Sequence, residues 1–235
     1  RKGHVLGHVT DIGVDPANPR FRGYQSAADL MPHTDIASDL VALLCLRPAK
    51  SGGLSMIASA SAIFNEILER RPNLAQVLTQ PFYIDRREEI PEGKKPYYQL
   101  PVFNPYRGKT TVCYIRRFVE SAQRFDDVPA LSQAQLEAMD LIDELAKSDA
   151  IRLDMDFQPG DIQIVNNLTT LHSRTGYEDW PDPEQRRHLL RLWFAVSDGW
   201  PLPSAYFERY DADEHGRPRG VTVPGVRPVA SLEPV

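Results

Sequence analysis

Two histidines and one aspartate are the residues of this sequence whose types and spacing best suit metal chemistry. His33 and Asp35 flank Thr34 in a HisThrAsp triplet, and residues two apart in an extended segment point to the same side. An imidazole and a carboxylate so placed can converge on one ion, although the triplet needs a third ligand from elsewhere. Among the six histidines, His172 stands out because it ends a strand pattern and precedes a polar turn.

Two arginines further along the chain could bind an anion. Arg187 and Arg191 lie four residues apart in an apolar segment, so in a strand both side chains face the same side. Buried guanidinium groups are costly unless an anion meets them. A small dicarboxylate would satisfy them, and so would Asp or Glu side chains of the protein itself; the sequence leaves both interpretations open.

The elements that must position these residues are mostly strands. Twenty of the 235 residues are proline, against an average of about 5%, which favours turns and strand edges over long helices. Apolar runs bounded by turn residues predict a strand, a tight turn at 51–53 and a second strand at 54–58. The first of these two strands is predicted at 40–46. The other predicted strands are 81–85, 97–103, 110–116, 151–156, 161–166 and 187–196.

Two helices are predicted. One starts after a cap at Ser59 or Ser61 and runs to about Arg71, where Pro72 stops it. The other starts at Ser132, with Gln135 completing a capping box. Many short strands with few helices predict a mainly β fold with peripheral helices, built as a sandwich, barrel or jelly roll.

Charge and cysteine content narrow the setting. The formal net charge is −5 and there is no lysine-rich block, which argues against a nucleic-acid partner. No apolar stretch approaches the length of about 20 residues that spans a bilayer, so we expect no membrane partner. Cys45 and Cys113 lie in separate apolar runs and are expected to be buried free thiols, which fits a reducing cytoplasm.

Four motifs, in this order, resemble the TauD/TfdA family of iron(II)- and 2-oxoglutarate-dependent dioxygenases. They are HisThrAsp at 33–35, ArgProAlaLysSerGlyGlyLeuSer at 47–55, AsnAsnLeuThrThrLeuHis at 166–172 and ArgArgHisLeuLeuArgLeuTrp at 186–193. The resemblance covers about residues 24–196. It implies a double-stranded β-helix, also called a jelly roll, and an oxidoreductase that uses Fe(II), 2-oxoglutarate and O2.

The resemblance also assigns site residues. His33, Asp35 and His172 would be the catalytic metal ligands. Arg187 would bind the distal carboxylate of 2-oxoglutarate with help from Ser55, and Arg191 would contact the other end of the cosubstrate or the substrate. Ser55 follows Asp35 by 20 residues, a shorter interval than the family leads us to expect, so Ser59 is the alternative hydroxyl. Arg187 follows His172 by 15 residues, which indicates an insertion in the polar segment 180–184.

The implied reaction is oxidation of a small molecule with release of succinate and CO2. The related halogenases replace the metal-binding carboxylate with a small residue, so the presence of Asp35 favours hydroxylation. Two alternatives remain open at this stage: a ligand-binding jelly roll without turnover, and a metal-dependent enzyme that does not use 2-oxoglutarate. The Arg187 and Arg191 pair argues against the second.

Substrate contacts are expected from segments at the barrel mouth, where Tyr24, Gln25, Arg116 and Arg117 offer aromatic or polar groups. An additional inward arginine would favour a substrate that carries a carboxylate. The sequence does not set the oligomeric state.

We expect residues 1–235 to form one jelly-roll domain with a polar, mobile tail from about 211 to 235. Only 32 residues precede the HisThrAsp triplet and the first is Arg1 rather than Met. We therefore also expect that an N-terminal part of the fold is missing from this sequence.

Overall fold

The computed structural model describes residues 5–13, 22–36, 38–220 and 226–231. Within these ranges the strands, in chain order, are β1 (Gly7–Val9), β2 (Leu30–His33), β3 (Leu40–Arg47), β4 (Ser51–Gly52), β5 (Ser55–Ser59), β6 (Pro81–Asp85), β7 (Tyr97–Pro101), β8 (Phe103–Tyr106), β9 (Lys109–Val112), β10 (Arg152–Met155), β11 (Ile162–Asn166), β12 (Thr170–Arg174), β13 (Tyr177–Glu178) and β14 (His188–Phe194). The α-helices are α1 (Ala60–Arg70), α2 (Pro72–Leu78), α3 (Arg116–Ala122) and α4 (Gln133–Lys147).

Two four-stranded antiparallel sheets form the body of the fold. The first has the strand order β1-β14-β3-β11 and the second β10-β5-β12-β2. Neighbouring strands within each sheet are far apart in sequence, and β4–β13, β6–β7 and β8–β9 are separate two-stranded ribbons. A hydrogen bond of 3.3 Å from Ser55 Oγ to Gln163 Oε1 joins the facing sides of the two sheets. This is the antiparallel sandwich that the sequence predicts.

Most of the apolar core lies outside the space between the two sheets. The largest buried cluster joins helices α1, α2 and α4 to ribbons β6–β7 and β8–β9. A second, smaller cluster within the sandwich contains Val9, Cys45, Phe157 and Leu189. The remaining interior of the sandwich is lined by buried polar and charged side chains, among them Ser55, Gln163, His172, Arg174 and Arg187. Buried groups of this kind need partners, so the sandwich interior is where a ligand is expected.

Both predicted helices are present, and the structure adds two more, α2 and α3. Ser59 rather than Ser61 caps α1, because its hydroxyl accepts the Ala62 N–H at 3.2 Å. The capping box of Ser132 and Gln135 is present at the start of α4. Pro72 ends α1 but also occupies the first turn of α2, a helix that the sequence analysis did not predict. Proline suits that position because backbone N–H groups in the first turn of a helix have no acceptor within the helix, so the N–H that proline lacks is not needed there.

Two strand predictions are also corrected. The segment predicted as one strand at 97–103 forms the end of β7 and the start of β8. The strand predicted at 110–116 ends at Val112, and α3 starts at Arg116. Tyr114, between them, pairs its backbone with Thr34 instead of with a neighbouring strand. The other predicted strands agree with the structure to within two residues at each end.

Part of the polar C-terminal tail is anchored to the sandwich. Arg219 is buried and forms an ion pair of 2.5 Å with Asp39. Asp39 also accepts the backbone N–H of Val196 at 2.7 Å. The expectation of a mobile tail extends over 221–225 and 232–235, which lie outside the described residues. Among the residues that are described, none of the helices has the length and apolar character that crossing a bilayer requires.

The side chain of Asn167 ties the segment that follows β11 to the segment that follows β2. Its side-chain oxygen accepts the Asp35 N–H at 2.7 Å. Its side-chain nitrogen donates to the carbonyl oxygens of Asp35 and Ser38 at 2.9 and 2.8 Å. Asn167 is 2% exposed, so water does not replace these bonds. The residue following β11 therefore fixes the backbone that carries Asp35.

We predict that Asn167→Ala lowers the free energy of unfolding by about 3 kcal/mol, because it leaves several buried backbone groups unpaired. Urea denaturation of the two proteins measures this difference. Asn65→Ala, on the exposed surface of α1, is the matched control and should change stability by less than about 0.5 kcal/mol. Equal losses in the two variants would contradict the role given to Asn167.

Candidate functional site

Sheet register brings the two predicted histidine ligands together. His33, at the end of β2, is the direct partner of His172 on β12. Their ring centres are 4.2 Å apart. Asp35 follows β2 by two residues, and its Oδ2 atom lies 3.8 Å from His172 Nε2. One donor atom from each of the three side chains lies within 4.8 Å of the others. The three predicted ligands thus face one point.

The protonation states of these residues suit a metal ion. Burial lowers the pKa of His33, and it lowers the pKa of His172 to about 3, so both rings are neutral near pH 7. His33 Nδ1 lies 2.8 Å from the Met31 carbonyl oxygen; donation of this N–H leaves the Nε2 lone pair for a metal. Burial opposes the ionisation of Asp35. The electrostatic attraction of Arg191 and of the two histidines outweighs burial, so the pKa of Asp35 is lowered.

The donor set fits a particular kind of metal site. Two neutral imidazoles and one carboxylate on one face of an ion leave three positions open, which is the arrangement of non-haem ferrous oxygenases. His172 Nε2 is directed to Asp35, and among the described residues this is the one cluster of three such side chains. The residues present therefore fit an iron(II) ion.

Asp35 is held by two further side chains at the mouth of the sandwich. Trp193 Nε1 donates to Asp35 Oδ2 at 2.7 Å. Arg191 Nη1 lies 3.2 Å from Oδ1 and 3.4 Å from Oδ2. The Arg191 guanidinium contacts two aromatic rings, 4.5 Å from the centre of Tyr24 and 4.5 Å from that of Trp193. Such stacking stabilises the cation and fixes its plane.

Arg187 immediately precedes β14, and a register shift between His188 and Leu189 separates it from the strand face that carries Arg191. It is 3% exposed, and its Nη1 atom is buried without a hydrogen-bond partner among the described residues. Burial lowers the pKa of this guanidinium, so an anion placed beside it would be strongly stabilised. Gly53, with a φ of +75°, allows the close approach: a Cβ atom there would lie 3.1 Å from Arg187 Nε. The SerGlyGly turn is thus part of the arginine's pocket.

The two candidate hydroxyls have different surroundings. Ser55 is 4% exposed and its hydroxyl donates to Gln163 across the sandwich. Ser59 caps helix α1 and is exposed. The geometry favours Ser55 over Ser59 as a residue that could face a ligand in the interior.

The predicted substrate residues fall into two groups. Tyr24 and Gln25 lie in a short 3-10 helix, Gly23–Gln25, and Tyr24 reaches the Arg191 guanidinium. Arg116 and Arg117 start helix α3. Arg116 is paired with three carboxylates, at 2.6 to 2.9 Å, which leaves its guanidinium committed to the protein; these are Glu120, Asp140 and Asp143. Of the four residues, the structure places Tyr24 against the site.

An antiparallel double sheet with two histidines and one carboxylate at its mouth defines a class of non-haem iron oxygenase folds. The sequence matches the family described as taurine catabolism dioxygenase TauD, TfdA family, over residues 3–193. The chain belongs to this family, as the resemblance of its motifs predicted.

Two curated relatives and one solved structure illustrate the similarity. FR-33289 synthase of Streptomyces rubellomurinus (strain ATCC 31215) is 34% identical over 203 residues, which are 84% of this chain and 59% of that protein. The taurine hydroxylase-like protein SAT17 of Stachybotrys chartarum (strain CBS 109288 / IBT 7711) is 33% identical over 212 residues, covering 86% and 53%. This chain therefore spans little more than half the length of these relatives.

The solved structure is that of an asparagine oxygenase in complex with Fe(II), 2S,3S-3-hydroxyasparagine and succinate. It superposes with a TM-score of 0.59 at 20% identity and covers 81% of this chain and 56% of its own. At this identity the likeness shows the fold. The predicted double-stranded β-helix is confirmed.

Sequence reasoning missed three side chains that the structure places at the site. Trp193 holds Asp35, and Arg174 and Tyr177 surround Arg187. One of them carried a signal in strand periodicity, which puts Trp193 on the face of Arg191. Arg174 was expected in a polar turn after His172, whereas β12 continues through it. Tyr177 follows a turn, where periodicity is lost.

We predict that Trp193→Phe weakens binding of Mn(II) or Co(II) to the protein by about tenfold, because partners that orient a metal ligand are typically worth 10- to 100-fold in affinity and Arg191 still holds Asp35. Isothermal titration calorimetry measures the dissociation constant. Trp180→Phe, at an exposed indole, is the matched control. Unchanged affinity in Trp193→Phe would show that the indole does not orient Asp35.

Proposed function

We propose that this chain carries the catalytic core of an Fe(II)- and 2-oxoglutarate-dependent oxygenase that hydroxylates a small molecule and releases succinate and CO2. The proposal is based on the polar interior of the sandwich, which has a different group of charged side chains at each end. A histidine, aspartate and histidine cluster lies at one end, and a buried guanidinium with an unpartnered nitrogen lies at the other. A metal-bound dicarboxylate would satisfy both ends together.

In this proposal His33, Asp35 and His172 hold the iron. Iron bound there, with 2-oxoglutarate and O2, would supply the oxidising power for attack on a C–H bond, as cofactors do in enzymes of this kind. The chain's own residues orient the reactants. Trp193 and Arg191 fix the Asp35 carboxylate.

The cosubstrate would lie along the interior of the sandwich. Arg187 would bind its distal carboxylate in a charge-assisted pair, and the Ser55 hydroxyl would rotate from Gln163 to donate to it from the facing sheet. Arg191 on β14 lies four residues from Arg187, which immediately precedes the strand, and this is about 13 Å along an extended chain. That separation puts Arg191 at the metal end, where it can meet the substrate or the other end of the cosubstrate.

We propose an anionic small molecule as the substrate, with an amino-acid derivative as the first candidate. The Arg191 cation at the mouth supports this choice, with Tyr24 forming one wall, and Gln25 follows Tyr24 on the same short helix. The asparagine oxygenase structure holds a hydroxylated amino acid. Arg116, paired with three carboxylates, is not assigned a substrate contact, and Arg117 stays a prediction. We also propose a cytoplasmic setting, because Cys45 and Cys113 are free thiols.

Anaerobic spectroscopy followed by exposure to oxygen tests the proposed function. Addition of Fe(II) and then 2-oxoglutarate should produce a visible metal-to-ligand charge-transfer band, and O2 should then yield succinate. Absence of the band with metal bound would favour a metal-dependent enzyme that does not use 2-oxoglutarate. A band without succinate, in the presence of candidate amino acids, would favour a ligand-binding jelly roll.

We predict that Arg187→Ala raises the dissociation constant for 2-oxoglutarate by about 30- to 160-fold, because a buried charge-assisted pair is worth about 2 to 3 kcal/mol. Titration of the charge-transfer band measures this constant, while metal affinity should stay within about twofold of wild type. The neighbouring arginine supplies the control: Arg186 donates to backbone carbonyls at the surface, so Arg186→Ala should bind 2-oxoglutarate normally. Wild-type affinity in Arg187→Ala would remove Arg187 from the cosubstrate site.

A further inference from the structure

Two buried guanidinium groups share one phenol ring at the closed end of the site. Arg174 is 5% exposed and Arg187 is 3% exposed. The central guanidinium carbons lie 4.6 and 5.2 Å from the centre of the Tyr177 ring. Like charges this close repel one another in a medium of low dielectric constant. Their proximity therefore needs a compensating group.

The hydrogen-bond donors of this cluster are incompletely used. The Nη1 atoms of Arg174 and Arg187 and the hydroxyl of Tyr177 are all buried, and none has a hydrogen-bond partner among the described residues. Within the same ranges neither guanidinium forms an ion pair. The carboxylate of Asp179 accepts the backbone N–H of Arg187 at 2.7 Å, while its Oδ2 atom is without a partner. Three unsatisfied donors around two cations define a site for an anion.

Arg174 is oriented by the protein through its other nitrogens. Its Nη2 atom donates to the carbonyl oxygens of Ser26 and Ala28, at 2.8 and 2.5 Å. Its Nε donates to the Thr175 carbonyl oxygen at 3.3 Å. These bonds fix the plane of the guanidinium and leave Nη1 for a ligand. A preorganised donor of this kind binds without losing further conformational freedom.

Strand register places this cluster at a defined distance from the metal ligands. Arg174 follows His172 by two residues on β12, so both side chains leave the same face, about 6.6 Å apart along the strand. Arg174 is also the direct cross-strand partner of Ser55 on β5, whose hydroxyl lies in the interior. Arg174 therefore faces the same interior as His172.

We propose that Arg174 and Tyr177, together with Arg187, bind the distal carboxylate of 2-oxoglutarate. The proposal rests on the proposed function above. A five-carbon dicarboxylate chelated at its 2-oxo end near His172 reaches about one residue pair along β12, to the position of Arg174, whose guanidinium lies beside the Tyr177 ring. Two cations and a neutral phenol donor, supplied by β12, by the residue before β14 and by β13, would select a second carboxylate on the ligand.

Paired ligands test this assignment. Under anaerobic conditions, Fe(II)-loaded wild type, Tyr177→Phe and Arg174→Gln are titrated with 2-oxoglutarate and with 2-oxopentanoate, which lacks the distal carboxylate. We expect the dissociation constant for 2-oxoglutarate to rise about tenfold in Tyr177→Phe and about 30-fold in Arg174→Gln. The constant for 2-oxopentanoate should change by less than about twofold, since no contact to it is lost.

The ligand pair separates a binding role from a structural one. If both ligands weaken equally, or if neither weakens, Arg174 and Tyr177 do not contact the distal carboxylate and the proposal is overturned. Tyr106→Phe, at a phenol stacked beside Arg107 on another ribbon, is the control for loss of a tyrosine hydroxyl and should leave both constants unchanged. A wild-type protein that binds Fe(II) but gives no band with 2-oxoglutarate would overturn the proposed function itself. A wild-type band whose titration is unchanged in the variants would overturn only the roles of Arg174 and Tyr177.

Discussion

The cost of burying charge is the constraint on which the rest of this structure depends. The space between the two sheets contains a carboxylate, Asp35, and three arginines, Arg174, Arg187 and Arg191, in place of the apolar side chains that usually fill a sandwich. Asp35 is compensated by Arg191 and Trp193. Arg174 donates to three backbone carbonyl oxygens, yet its Nη1 atom and that of Arg187 have no partner among the described residues. Incompletely compensated buried cations are costly, so the fold is arranged around ligands that complete it.

The supporting structure can be understood as a means of holding these charges in place. The apolar core formed by α1, α2, α4 and the two ribbons stabilises the chain from outside the sandwich, which frees the interior for polar groups. Asn167 ties the Asp35 backbone to the end of β11, and segment 26–29 is fastened to the chain after His172 by Arg174 and by the backbone of Tyr177. The mouth and the closed end of the site are thus both attached to β12.

Local spacing and strand periodicity were sufficient for the bounds of β3, β5, β6, β10, β11 and β14. The assignment of His33, Asp35 and His172 as metal ligands came from the resemblance of the motifs and stays a prediction, although the structure brings the three side chains together. The sequence was insufficient wherever long-range pairing decides. Alternation in β11 would place Ile162 and Ile164 inside, yet they are 64% and 63% exposed, and Gln163 faces inward to accept the Ser55 hydroxyl. Arg116 looked available for a substrate, but α4 supplies two of the carboxylates that bind it. Neither contact can be derived from local sequence.

A crystal structure with Mn(II) and 2-oxoglutarate tests the central claim most directly, since it shows which buried charges are compensated by ligand. We predict that His33 Nε2, His172 Nε2 and an Asp35 carboxylate oxygen bind the metal, and that the distal carboxylate of 2-oxoglutarate contacts Arg187, Arg174 and Tyr177. A metal bound elsewhere, or a dicarboxylate directed away from Arg187, would contradict the account.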